Sequence, residues 1–304
     1  MSEVLATTAA EVAGPESTTT VVAKGRRSGV LGLAGWLSVI WLVLIAGSAI
    51  LAPWLPLTEP DQVDFANPNQ LNNQPIGTPG FPLGTEQNGY DILSRIIWGG
   101  RVSLVVAVGV LVIGMVVGGT IGLTAGFLRG RSETVLMSVV DIFLAFPALI
   151  LLIAIVAFMG ADLKNVVLGI SLVSIPAFAR IARATTLTFS RREFVLAAEA
   201  AGATRFRILV REILPNVVLP LLAFGLLVVG IAIVAEGSLA FLGLTSQETI
   251  SWGGMINGGR RALQQENIAH TTMIPAAVMF LTVLAVNFLG DRFRAAFDVK
   301  DAAL

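Results

Sequence analysis

Few residues in this chain have the type and spacing to do bond-making chemistry. His270 is the single histidine among 304 residues; it stands at the start of an apolar run, where a lone histidine is more often an interface residue than a ligand. There is no cysteine, which removes disulfides, thiol catalysis and cysteine metal sites. No Ser-His-Asp set is convincing, and the carboxylates lack metal-ligand spacing. The segment "AKGRRSG" does not have the Gly-x4-Gly-Lys-Ser/Thr order of a phosphate loop. The chain is therefore expected to be no enzyme and to hold no cofactor or metal, and any nucleotide must be bound by another chain. What remains are charges in apolar surroundings, which are costly unless they face the protein interior or water. Asp141 lies about 12 Å along its helix from Glu133 at about 1.5 Å per residue and can tie to a nearby arginine. Glu236 is expected to end a helix near the outer surface, where a carboxylate stays wet. Arg180 and Arg183 can snorkel to the inner surface. These groups do not compose a proton relay.

The elements that must position these charges follow from composition. Hydrophobic residues make up 55% of the chain and charged ones 13%, with a mean hydropathy of +0.82. This is the balance of an integral membrane protein. With 20 basic and 20 acidic residues the net charge is zero, so no field favours nucleic acid. A helix needs about 20 apolar residues to cross the hydrocarbon layer. Such runs lie between Arg27 and Glu59, between Arg101 and Arg129, from Glu133 to Met159, from Asn165 past Arg180 and Arg183 to Phe189, from Pro215 to Ala235, and from Thr271 to Gly290. The expected fold is all-α and polytopic with six transmembrane helices.

Lysine and arginine divide fifteen to five between the two sides of these spans, and the richer side is the cytoplasmic one. Both termini are therefore expected in the cytoplasm. Residues 1–29, rich in Ser, Thr and Ala and without a basic start, form an expected disordered tail rather than a cleavable signal. The first helix (30–52) is then an uncleaved anchor. Residues 53–101 form an outer loop dense in Pro and Asn, ending in an expected interfacial helix that carries Ile92, Ile96 and Trp98. The remaining five-helix core spans 102–290, with a cytoplasmic loop at 190–215 and an outer segment at 243–270 for which a short re-entrant or surface helix is expected. Residues 291–304 are a cytoplasmic tail.

The loop "FVLAAEAAGATRFRILVREILPN" separates two very apolar spans, yet it has internal order. Its first part favours helix, with small Ala197, Ala198, Ala200 and Ala201 permitting close approach of a partner. Gly202 supplies a turn. A second short helix follows, with Phe206, Leu209, Val210 and Ile213 at helical spacing, and Pro215 restarts the chain into the fifth span. Two short helices with small residues outward suit a groove in a cytoplasmic partner.

The same stretch resembles the coupling loop of binding-protein-dependent ABC importer permeases, EAA-x3-G-x9-I-x-LP, through Ala197, Ala198, Gly202, Leu214 and Pro215 in register. Leu196 stands where that family usually has Glu, Glu212 where it often has Ile, and Glu199 is out of register. "PLGTEQNGYDILSRIIWGGRVSL", "MSVVDIFLAFPALILL", "EGSLAFLGL", "SWGGMI" and "NFLGDRFRAAFD" resemble, in order, blocks of the dipeptide, oligopeptide and nickel subfamily, in the subunit type with a large outer segment after its first helix. The resemblance implies a type I ABC importer permease fold in a bacterial or archaeal cytoplasmic membrane. It implies a second permease subunit, one or two ABC ATPase subunits carrying ATP and Mg²⁺, and an extracytoplasmic substrate-binding protein. It also implies that Leu196, Ala197, Ala198, Glu199, Gly202, Ala203, Thr204, Phe206, Arg207, Leu214 and Pro215 couple the chain to the ATPases. Peptides are the commonest substrates of such systems, with nickel complexes and other small solutes as alternatives. A secondary transporter would show inverted repeats and midplane ionisable residues, and a membrane scaffold would use the same loop without transport.

Overall fold

The computed structural model describes residues 32–64, 67–246, 249–260 and 269–301; the expected tail at 1–29 lies outside them. Among the described residues the regular structure is helical. Helices satisfy every backbone group within one segment, which a hydrocarbon environment demands. Helix α1 is Gly32–Leu51, α2 Ile92–Leu128, α3 Gly130–Leu144, α4 Ala148–Met159, α5 Leu163–Phe189 and α6 Glu193–Ala200. They are followed by α7 Arg205–Phe241, α8 Trp252–Gly258 and α9 His270–Asp301. Five of these are long and apolar enough to cross a membrane, and α3 with α4 makes a sixth span if that bent pair counts as one.

Several boundaries differ from the sequence reading. The expected interfacial helix is the first part of α2, which runs unbroken from Ile92. Asp91 starts it by accepting hydrogen bonds from the backbone N–H groups of Leu93 (3.0 Å) and Ser94 (3.3 Å), a side-chain N-cap. Ile92 and Ile96 point into the protein. The expected span from Glu133 to Met159 is two helices bent by 84°, because Pro147 has no N–H to donate and disfavours helical geometry at Phe146. The expected second short helix of the 190–215 loop is the beginning of α7. There a π turn at Ile208–Ile213 precedes Pro215, and widening the turn moves the carbonyl that the proline ring would otherwise strike. Helix α9 continues through most of the expected C-terminal tail, and residues 302–304 lie outside the described set, as do 261–268 of the outer segment.

The tightest packing joins α2 to α5. Gly118, Gly122 and Gly126 recur every fourth residue and so share one face of α2. A Cβ at Gly118 would lie 2.5 Å from the Ile175 carbonyl oxygen, one at Gly126 2.9 Å from that of Arg183, and one at Gly122 would strike the carbonyl of Ala179. The two backbones meet with nothing between them, the small-residue packing used where lipid gives no hydrophobic drive to helix pairing. Phe178 of α5, fully buried, fills the layer beside this ladder and meets Phe224 of α7 edge to face at 5.2 Å. The cluster it belongs to runs through α2, α5 and α7.

Candidate coupling surface

One end of the bundle gathers Arg129 and Arg131, the α5–α6 turn and the start of α7. It is built on the α2–α5 ladder. Arg129 closes α2 with φ +54° and donates from Nη2 to Ser190 Oγ at 2.8 Å, fastening the last turns of α2 and α5 together at the root of α6. Two ion pairs tie α3 to α5. Arg183 Nε meets Glu133 Oε1 at 2.6 Å, and Arg180 Nη2 meets Asp141 Oδ1 at 2.7 Å. The arginines expected to snorkel are thus matched by carboxylates, and Asp141 is tied to an arginine as its sequence position allows.

From this base α6 projects as a short helix ended by glycine. Gly202 has φ +78°; its N–H donates to the Glu199 carbonyl (2.9 Å), and that of Ala203 donates to the Ala198 carbonyl (3.0 Å). This is the Schellman arrangement, in which a left-handed residue lets orphan carbonyls find donors. A Cβ at Gly202 would meet nothing within 4 Å, so its backbone conformation, and not space, calls for glycine. Thr204 then caps α7, its hydroxyl oxygen accepting from Arg207 N–H at 3.4 Å.

The segment is anchored on one side and open on the other. Val195, Ile208 and Ile213 are 2%, 1% and 0% exposed, and Ala198, Ala203 and Leu214 pack partly buried beside them. Leu196 is 56% exposed and Phe206 75%, and Ala197, Glu199, Gly202, Thr204, Arg207 and Pro215 are exposed with them. The structure therefore divides the residues singled out by sequence: Ala198, Ala203 and Leu214 hold the segment to the bundle, while Leu196 and Phe206 stand out from it. Leu196, at the family's usual glutamate position, presents a hydrocarbon side chain in place of a charge.

Sequence reasoning missed the site's supports. The Gly118, Gly122, Gly126 repeat was its available signal. Glu236 also lies elsewhere than expected: it is 2% exposed inside α7, and Ser103 Oγ donates to its Oε2 at 3.1 Å.

Residues 118–300, which contain this surface and its supports, match the family described as "Binding-protein-dependent transport system inner membrane component". The chain belongs to that family. It is a permease subunit of an ABC importer and a multi-pass inner-membrane component, the kind of subunit that works with a partner permease, an ATPase and a binding protein. A glutathione transport system permease protein of Pectobacterium atrosepticum is 37% identical over 273 residues, covering 89% of this permease and 87% of the relative. A di/tripeptide transport system permease protein of Pseudomonas aeruginosa is 37% identical, covering 86% of each chain. Among solved structures, a chain of the MetNI methionine ABC transporter in an inward-facing conformation superposes with a TM-score of 0.57 at 18% identity. It covers 67% of this permease and 97% of that chain. The fold is that of a type I ABC importer permease.

Proposed function

We propose that this permease forms, with a second permease subunit, the membrane path for di- or oligopeptides delivered by an extracytoplasmic binding protein. The arginine-rich end faces the cytoplasm, where α6 and the start of α7 dock into one of one or two ABC ATPase subunits. ATP and Mg²⁺ reside on those subunits, and this chain binds no nucleotide. Closure of the ATPases is passed through α6 to the bundle, which alternates between outward and inward access. The peptide assignment is supported by the glutathione and di/tripeptide systems of the relatives at 37% identity.

One observation carries the coupling role: Leu196 and Phe206 are exposed on a segment whose other side is fully anchored. A rigid mount transmits force, and burying a large apolar side chain in a partner groove contributes about 1.5 to 3 kcal/mol. The test is to co-purify ATPase subunits with Leu196→Lys and Phe206→Asp variants and to measure dipeptide uptake in liposomes. Each variant should insert and remain stable in detergent, retain at least about tenfold less ATPase, as about 1.4 kcal/mol would give, and lose uptake. Ile76→Asp, at an exposed site in the 53–91 loop, should behave as the parent. Undiminished ATPase retention by both coupling variants would refute the docking role, and ATP-driven uptake of a non-peptide solute with no peptide uptake would refute the substrate.

A further inference from the structure

The Arg180–Asp141 pair lies within segments apolar enough to cross a membrane. Arg180 is nine residues before the end of α5 and Asp141 eleven after the start of α3, or about 14 and 16 Å along their helices. Both therefore stand inside these segments rather than at their ends. Their side chains are nevertheless 56% and 58% exposed on this subunit, whereas the Arg183–Glu133 pair, nearer the helix ends, is 38% and 18% exposed. Charges within a membrane-spanning segment face the protein interior or water, not lipid.

Two further features share this surface. On α3, exposed Thr134 lies in line with Asp141 two turns earlier, exposed Ser138 stands between that line and a stripe of exposed Val135, Val139 and Ile142, and exposed Leu144 flanks Asp141 on the other side. On α5, the exposed positions following Arg180 at four-residue steps are Ala184 and Thr188, with no large apolar side chain among them. The helix break at Ala145–Pro147 comes four residues after Asp141, and Ala145, Phe146 and Pro147 are exposed. Irregular backbone at membrane depth is tolerated where it is buried in protein or lines a water-filled cavity.

We infer that this face of α3 and α5 borders the aqueous solute path, and that Asp141 and Arg180 are the groups there that meet a zwitterionic solute. An ammonium on the solute is matched by Asp141 and a carboxylate by Arg180, in geometry a planar guanidinium favours. In the solute's absence the two side chains neutralise each other, so the site costs little when empty. The inference rests on the peptide reading for its solute, but its first test does not.

The chain has no cysteine, so single cysteines report cleanly. In the full transporter complex, Thr134→Cys and Ala184→Cys should react with a charged, membrane-impermeant thiol reagent at least about tenfold faster than Val135→Cys and Val139→Cys, the contrast between wetted and lipid- or protein-covered sites. Equal rates overturn the path assignment whatever the substrate proves to be. The second test compares the double variant Asp141→Asn with Arg180→Gln, which removes both charges, and the single variant Asp141→Glu, which keeps both charges and the guanidinium. Peptide uptake should fall at least about tenfold in the neutral variant, as expected for loss of charge-assisted contacts, and recover in the charged one. Uptake by the neutral variant equal to that of the parent, with the ATPases still co-purifying, overturns the contact with solute; recovery in neither overturns it also, by showing that shape and not charge is needed there.

Discussion

The two loop-bearing ends of this permease are built on opposite plans. At the outer end, by the charge asymmetry of the sequence, most buried polar side chains are paired within the chain, Asn73 Oδ1 being a buried exception. Thr85, fully buried, accepts from Gln74 N–H at 2.9 Å and donates to the Leu71 carbonyl at 2.5 Å; Gln70, 3% exposed, bonds the Gln62 carbonyl and the Asp64 N–H. Ser94 reaches back to the Thr58 carbonyl at 2.5 Å, and the buried Trp252 of α8 donates to the Ile96 carbonyl at 2.9 Å. At the inner end, Leu196 and Phe206 are left open to solvent above a firmly packed base. A loop rich in Pro and Asn thus becomes a self-contained cover, while a helical loop remains incomplete. Buried polar groups must be paired within the chain, whereas an exposed apolar group on a rigid mount can be completed by a partner. The family resemblance falls on both ends, but for different physical reasons: Thr85, Asp91, Ser94 and Trp252 are internal fasteners, and Ala197 and Gly202 are outward surface.

This contrast can be broken most severely through the shared base. Gly122→Leu sets a side chain against the Ala179 carbonyl and the Ala182 side chain, where backbone on both sides prevents relief. Overpacking costs about 1 to 3 kcal/mol where neighbours can shift, and more where they cannot. Both ends should therefore fail together, seen as loss of the monodisperse species in detergent and of uptake. Trp252→Ala comes next. A fully buried aromatic truncated to alanine costs about 3 to 5 kcal/mol, and the indole hydrogen bond to the Ile96 carbonyl is lost with it. This loss should be confined to the outer end: hydrogen exchange should rise in residues 92–100 and 252–258 while ATPase co-purification is retained. If exchange rises equally in α6, the two ends are not independent.

How much of this was legible in the sequence depends on what each feature needs. Six apolar runs placed the spans because transfer from water to hydrocarbon is decided residue by residue. The turn at Gly202 was legible because a left-handed residue has few alternatives to glycine. Pro147 was visible too, but it lies inside a continuous apolar run, and hydropathy does not register a break that leaves composition unchanged. Glu236 was misplaced for the converse reason. A carboxylate near a helix end looks wet in sequence, and only the fold brings Ser103, 133 residues away, into reach of it. The inward orientation of Ala198 against the outward one of Leu196 depends on which face of α6 meets the bundle, and Val195 alone was too little apolar periodicity to set it.

A smaller effect sharpens the inner end. Gly202→Ala places a Cβ in a left-handed conformation at a cost of about 1 to 2 kcal/mol, without any steric overlap. Alpha-carbon geometry at the end of α6 should loosen, and the affinity for the ATPases should fall about tenfold, one decade for about 1.4 kcal/mol. Gly202→Asn should fall less, since asparagine tolerates this region better than alanine. Equal losses for the two would point to exposure of a side chain, and not to backbone conformation, as the cause.

The smallest effect belongs to the outer end and comes from protons. Burial pushes the Glu86 carboxyl above its ordinary range, opposed by the guanidinium of Arg95 at 2.9 Å, and burial likewise raises Asp91 against the hydrogen bonds it accepts at the start of α2. A carboxyl whose pKa is raised by folding binds its proton more readily in the folded cover than in the opened one. Linkage then makes the folded cover gain stability as pH falls through the raised pKa and lose it as pH rises through the same range, the reverse of a salt-bridged carboxylate with a depressed pKa. Hydrogen exchange of residues 85–95, corrected for the intrinsic pH dependence of amide exchange, should therefore show greater protection at mildly acidic than at neutral pH. Glu86→Gln, which cannot ionise, should flatten most of that slope, and residues 193–203 of the inner end should show none of it. Protection that increases toward neutral pH would mean that the Glu86–Arg95 attraction outweighs the burial of the carboxylate, and that the outer cover is held by charge rather than by the neutral hydrogen bonds around Thr85 and Gln70.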